Sequence, residues 1–296
     1  MLFQLENFLS DPVFALKSLL LFLPGMLLAL SLHECAHGWI AEKCGDPTAR
    51  YSGRITLNPA KHFDPMGFLC MLLIGFGWAK PVPVNPLRFK HYRRDDVLVS
   101  LAGITANLLL FFLSYLIMAV WFLLAVKSLP VLDSPMSYYL QTNSPEYCRL
   151  TLRGEMYLFT PGSYSGSYYK MSDLFPLFFL LSDTVITPVC GQIPGILYTM
   201  LMYCMFLNLT LAVFNLIPLP PLDGYHVLND LVLHQDLFAQ ARTQRITSGL
   251  LLGLILLGNV KPEWDVLQLL FDFVQNKMLG LLSFLPEALA GLLGVI

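Results

Sequence analysis

Residues 97–126 contain no Asp, Glu, Lys or Arg. A helix of that length rises about 45 Å at 1.5 Å per residue. That is enough to cross hydrocarbon about 30 Å thick with tilt to spare. A second charge-free window, residues 184–222, leaves room for a helix plus irregular backbone. Residues 18–32 are also uncharged and run on into His33, so 17–40 reads as one span. Shorter apolar stretches follow the same logic with less length: 66–79 suits a re-entrant segment, 246–260 a marginal span, and 278–296, charged only at Glu287, a span or a surface helix. Residues 174–182 are too short to cross and suit the interface. Composition agrees, with 56% hydrophobic and 13% charged residues against about 25% charged in soluble domains. The expected fold is all-α: a polytopic helical membrane protein with four to six membrane segments, one of them broken by prolines. We read residues 1–296 as a single membrane-embedded domain with its core at 13–230.

The charges that remain are unevenly placed. Nine of the 18 basic residues, from Lys43 to Arg94, lie between positions 41 and 97. An excess of Lys and Arg marks the cytoplasmic side, so 41–97 should face the cytoplasm of, by expectation, a prokaryotic cell membrane. The first span then runs inward and residues 97–126 return outward. Residues 127–173 become an extracytoplasmic loop, with turn residues at Thr160-Pro161-Gly162-Ser163, and 231–296 form C-terminal helical segments. The first basic residue, Lys17, follows Glu6 and Asp11, so no cleavable signal peptide is expected. A net charge of −2 without a long basic patch argues against a nucleic-acid partner. The partners expected are the lipid bilayer and a transmembrane protein substrate; the sequence leaves the oligomeric state open. The six cysteines include no C-x-x-C pair and read as small core residues, with a Cys148–Cys190 disulfide outside the membrane left open.

The chemistry sits inside the first span. Ser31-Leu32-His33-Glu34-Cys35-Ala36-His37 contains H-E-x-x-H. Residues four apart share a helix face, so both imidazoles can reach one ion. Glu34 is placed to address a water on that ion. Ionisable residues within a span are costly and usually functional. Two histidines do not complete a catalytic zinc site, which takes three protein ligands and leaves a position for water. The third candidate is Asp223, in Asn215-Leu216-Ile217-Pro218-Leu219-Pro220-Pro221-Leu222-Asp223-Gly224. Three prolines end any regular helix there, and broken backbone at membrane depth belongs where it is buried in protein or lines a cavity. Gly224 would permit an unusual φ that aims the carboxylate inward. One Zn2+ with Asp223, Glu34 and two neutral imidazoles sums to zero charge, so metal binding and local folding should be coupled.

Together these stretches resemble the intramembrane site-2 protease family of zinc metalloproteases. That family carries H-E-x-x-H on one span and an N-x-x-P-x-x-x-x-D-G-like segment on a later one. The resemblance covers roughly residues 25–230 and includes His33–His37, Gly77-Trp78-Ala79-Lys80-Pro81-Val82-Pro83-Val84-Asn85-Pro86, the Gly103 and Asn107 pair, and Asn215–Gly224. It is closest to compact members without PDZ or CBS domains. It implies zinc on His33, His37 and Asp223, with Glu34 as the catalytic group that activates water. The function it implies is hydrolysis of peptide bonds in transmembrane segments of membrane proteins.

Other residues are less determined. Pro81 and Pro83 have no N–H, so Val82 and Val84 would present donors along one edge of an extended strand, suited either to pairing with a substrate strand or to a rigid turn. Gly103 and Asn107 suit close helix packing with an interhelical hydrogen bond. Asn215 could orient substrate, stabilise an oxyanion or satisfy backbone beside Pro218. His226 is a weaker substitute ligand, His62, His91 and His234 read as solvated, and Trp39 and Trp121 as interface anchors. Two rival functions share the ligands: a membrane zinc-binding or zinc-transport protein without protease activity, and a membrane metallopeptidase acting on soluble or lipidated peptides.

Overall fold

A computed structural model describes residues 10–74, 77–132, 148–152, 155–160, 167–181, 185–233, 241–260 and 262–295. Besides four-residue turns of helix, the helices are α1 (Pro12–Cys44), α2 (Pro65–Ile74), α3 (Tyr92–Lys127), α4 (Gln192–Asn215), α5 (Asp223–Val227), α6 (Ala241–Val260), α7 (Val266–Leu282) and α8 (Phe284–Leu293) among the described residues. Of these, α1, α3 and α4 are long and apolar enough to cross a membrane, and α6 contains a shorter apolar stretch, Thr243–Gly258. The expected helical membrane architecture is therefore present, with three helices of spanning length among the described residues against the four to six membrane segments expected. Among the described residues of 66–79, the helix is the ten-residue α2, shorter than a span.

Local chemistry sets the ends of α1. Asp11 accepts the Phe14 N–H at 3.0 Å, with Pro12 at the first helical position, where its missing N–H costs nothing. At the other end Gly45 takes φ 116° and donates to the Glu42 carbonyl. A side chain there would also stand 2.9 Å from the Arg88 carbonyl.

Contacts divide the chain into two units. The first comprises Met1–Phe112 and Tyr203–Gln275. Within it, α1 and α4 meet at Gly25, where a Cβ would lie 3.0 Å from Cys204 Cα, and Phe22 and Tyr203 rings pack edge-on. Between α1 and α3 the chain is tied down by polar contacts. Asp46 accepts from the Thr48 N–H and hydroxyl and, at 2.6 Å, from the Asn85 N–H; these bonds outweigh burial and hold its carboxyl below the usual range. Arg54 donates to the Lys80 carbonyl at 2.6 Å, and the Lys80 N–H donates to His62 O at 2.9 Å. His62, expected in solvent, is 2% exposed, its Nε2 paired at 2.8 Å with the Thr56 carbonyl. A polar stretch of sequence has folded over it. His91 is exposed, and His234 lies outside the described residues.

After α4 the chain leaves helical geometry. Short turns run from Phe214 to Leu222, including a cis Pro220–Pro221 bond, before α5 begins at Asp223. Leu222 anchors this turn in a cluster with Leu251, Ile255 and Leu267, backed by Phe214, Ile217 and Phe271.

The second unit comprises Leu113–Met202 and Asn276–Ile296. Its loop region forms a small sheet of β1 (Val131–Leu132), β2 (Cys148–Leu152), β3 (Glu155–Thr160) and β4 (Ser167–Lys170), in that order. The first pair is parallel and the others antiparallel, with Leu152 opposite Glu155 at the hairpin. Buried Arg149 donates to the carbonyls of Lys127, Leu129 and Val295. Tyr198 reaches Phe178 O at 3.0 Å and Tyr115 reaches Leu282 O at 2.9 Å. Trp121 packs edge-on against Tyr198, while Trp39 of the first unit is half exposed under the Lys43 ammonium. Cys190 is a free thiol. The side chain of Cys148 and the turn at 161–163 lie outside the described residues.

Candidate metal centre

His33 lies eleven residues before the end of α1, and Gly103 eleven residues after the start of α3. Both are thus about 16 Å from the polar ends of their helices at 1.5 Å per residue. At this level the imidazoles of His33 and His37 stand 4.6 Å apart and nearly perpendicular, with their Nε2 atoms 3.0 Å from each other. A methyl group on Gly103 would fall 2.5 Å from ring atoms of both histidines. The glycine is there because the rings occupy the place of its side chain.

Each ring is oriented by its other nitrogen. His37 Nδ1 lies 2.7 Å from the Val99 carbonyl, which can only accept, so Nδ1 donates, and the neutral ring then turns its Nε2 lone pair to the other side. The Asn107 amide lies 3.2 Å from His33 Nδ1, and its buried Oδ1 has no partner. Turned over, that amide accepts from Nδ1–H and frees the second Nε2 in the same way. Asn107 is thus the interhelical hydrogen-bonding residue expected of it, and its partner is a candidate ligand.

Asp223 completes the cluster. Its Oδ2 lies 3.4 Å from both Nε2 atoms, is buried, and makes no hydrogen bond. The proline turn delivers it. Gly224 does not have the positive φ expected; it is glycine because a Cβ would lie 2.3 Å from the Leu216 carbonyl, so the turn folds directly onto the start of α5. Two imidazole lone pairs and an orphaned carboxylate oxygen, all facing one point, fit a divalent cation. Glu34 points nearby and accepts the Val82 N–H at 2.7 Å. Val82 is buried, whereas Val84 is partly buried against the cluster of Ala41, Cys44 and Val99. Asn215 donates to the Leu211 carbonyl of its own helix at 3.0 Å, which places its amide on backbone.

A second polar cluster was not apparent from sequence. Asp96 Oδ2 lies 2.9 Å from His226 Nδ1, and Asp230 adjoins them. His226 is therefore held by Asp96. Its hydrogen bond to Asp96 outweighs burial and raises its pKa. Burial, then the hydrogen bond and negative charge of Asp96, push the Asp230 carboxyl up to about 6. Asp96 stands one residue outside the charge-free window, where it reads as an ordinary solvated charge. A cavity of about 540 Å³ opens beside this region, walled by Pro220, Pro221, Tyr225, His226 and, from α6, Arg245 and Ser248.

Comparison with known proteins agrees with this geometry. The family model for peptidase family M50 matches residues 21–257. The chain is 31% identical over 232 residues to the Bacillus subtilis protein named "Putative zinc metalloprotease YwhC", covering 77% of this chain and 75% of that one. It is 34% identical over 96 residues to "Putative zinc metalloprotease Rip2" of Mycolicibacterium smegmatis, covering 31% of this chain and 37% of that one. No solved structure matches significantly. A matched region that contains H-E-x-x-H, the facing glycine and the proline turn, on helices long enough to span, leads to one assignment: the chain belongs to peptidase family M50, the site-2 proteases, and is a membrane zinc metalloprotease.

Proposed function

We propose that this protein cuts peptide bonds within transmembrane segments of membrane proteins, near the cytoplasmic face of a prokaryotic cell membrane. One zinc ion per chain would be held by His33, His37 and Asp223. The observation that carries this reading is the orphaned Asp223 Oδ2, 3.4 Å from each Nε2. The nine basic residues at 41–97 support the orientation, since the site lies toward that end of α1 and α3.

Bound zinc supplies a Lewis acid that lowers the pKa of a water toward about 7 and polarises a carbonyl. Glu34 takes a proton from the attacking water. As the C–N bond breaks, Glu34 passes that proton to the leaving amine. Val99 and Asn107 hold the Nδ1 protons of the neutral rings, so that the Nε2 lone pairs would face the ion beside Asp223. An amide in a regular helix is shielded, so the substrate must be locally extended. The Val84 N–H, between Pro83 and Asn85, offers a donor for such a strand.

Glu34→Gln should bind zinc at wild-type stoichiometry, measured by metal analysis of purified protein, and lose cleavage by about 10²- to 10⁴-fold. Candidate single-span proteins co-expressed with wild type should yield fragments that the variant does not. A Glu34→Gln protein that still cuts would remove Glu34 from this role.

A further inference from the structure

Glu34 has two carboxylate oxygens, and the mechanism needs one of them to carry a proton. We infer that the backbone N–H of Val82 is a positioning group that reserves Oε1 for that task. This rests on the reading of Glu34 as proton carrier.

The contact is 2.7 Å from Val82 N to Glu34 Oε2, a charge-assisted bond of ordinary length. Its donor is rigidly aimed. Pro81 and Pro83 flank it, each with φ fixed near −65° by its ring and each without an N–H. Residue 82 is thus the one donor in that tripeptide. The segment is pinned on both sides. Lys80 is held through its N–H by His62 and through its carbonyl by Arg54. Asn85 is held by Asp46 at 2.6 Å. Val82 itself is 8% exposed and seats against Gly38, one turn past Glu34 on α1, where a Cβ would be 3.2 Å from its Cγ1. A larger residue at 38 would push the strap and its N–H away from the carboxylate.

The bond survives both halves of the proton cycle. With Glu34 ionised, Oε2 accepts from Val82. With the proton on Oε1, Oε2 is a carbonyl oxygen and still accepts. The proton therefore enters and leaves at Oε1 while the side chain keeps one rotamer. Val82 consequently has no N–H to offer a substrate strand, which leaves Val84 as the donor on that edge.

Two measurements test this. The first is amide hydrogen exchange by mass spectrometry on peptides covering 80–86, where prolines leave few amides to resolve. Glu34→Ala should speed exchange at Val82 by about tenfold or more, the scale of one hydrogen bond to a charged group, with Val84 unchanged. Equal exchange at Val82 in both proteins would overturn the proposal whatever the protease assay gives. The second is kinetic. Val82→Pro should lower kcat by about 10- to 100-fold, as loss of an orienting partner does, with KM and zinc content held. Val82→Ala, which keeps the N–H, should recover most of it. A rise in KM with kcat intact would make residue 82 a substrate-pairing donor instead, and equal losses in both variants would assign the effect to the side chain. A zinc-loaded wild type that cuts nothing would defeat the protease reading and leave the exchange result standing.

Discussion

The two units of this molecule differ in how completely they satisfy their buried polar groups. In the second unit, Arg149, Tyr115 and Tyr198 each donate to backbone carbonyls. That is the least expensive way to bury a donor, because every partner is a group the fold must satisfy anyway. The first unit does the same at Arg54 and His62, but at the candidate site side chains face side chains: imidazole against imidazole, carboxylate against both. Among the described residues, all buried side-chain N and O atoms without a partner, from Ser31 to Asn229, lie in the first unit. Orphaned groups cost free energy unless something binds them. The contrast sets a unit whose buried polar groups are met by backbone beside one that keeps orphaned atoms, Asp223 Oδ2 among them.

The largest test of that contrast is metal removal. Zinc at a thousandfold over its Kd stabilises by about 4 kcal/mol. Chelation should therefore lower the thermal midpoint and increase protease sensitivity, and Asp223→Ala should not respond to zinc at all. Indifference of the wild type to chelation would break the comparison. Next in size is Arg149→Met in the second unit. It strands several buried carbonyls and should cost about 3 kcal/mol, measured by denaturation in detergent, while zinc stoichiometry stays unchanged. Gly103→Ala drives a methyl into both imidazoles and should weaken zinc affinity about 10- to 100-fold, read by competition with a chromophoric chelator. The smallest effect is a pH slope. Asp230 holds its proton up to about 6 when folded and loses it near 3.9 when unfolded. The folded state thus binds more protons between these values, and stability contributed by Asp230 falls as pH rises through that window. Asp230→Asn should flatten this part of the stability curve; an unchanged slope would detach Asp230 from Asp96.

Much of the site was legible because its logic is local. His33 and His37 share a helix face by spacing alone, and prolines 218, 220 and 221 announce broken backbone before Asp223. What escaped is what depends on tertiary approach. Asp96 and His226 are 130 residues apart, with no periodicity to join them. A glycine after Asp223 suggests a special φ, yet the reason for Gly224 is the Leu216 carbonyl pressed against it. His62 sits in polar sequence and was placed in solvent, but Thr56 and Lys80 close over it through backbone. The strands at 148–170 escaped because their residues were read only for turns, while pairing across a small sheet is decided by partners elsewhere in the chain.

The level meeting of Gly103 with the paired rings has a mechanical corollary. Residues on one helix face recur every three or four positions, so sliding α1 along α3 by about one turn, 5.4 Å, would present the side chain of Val99 or Asn107 where now there is only a hydrogen. These two helices are latched against piston motion.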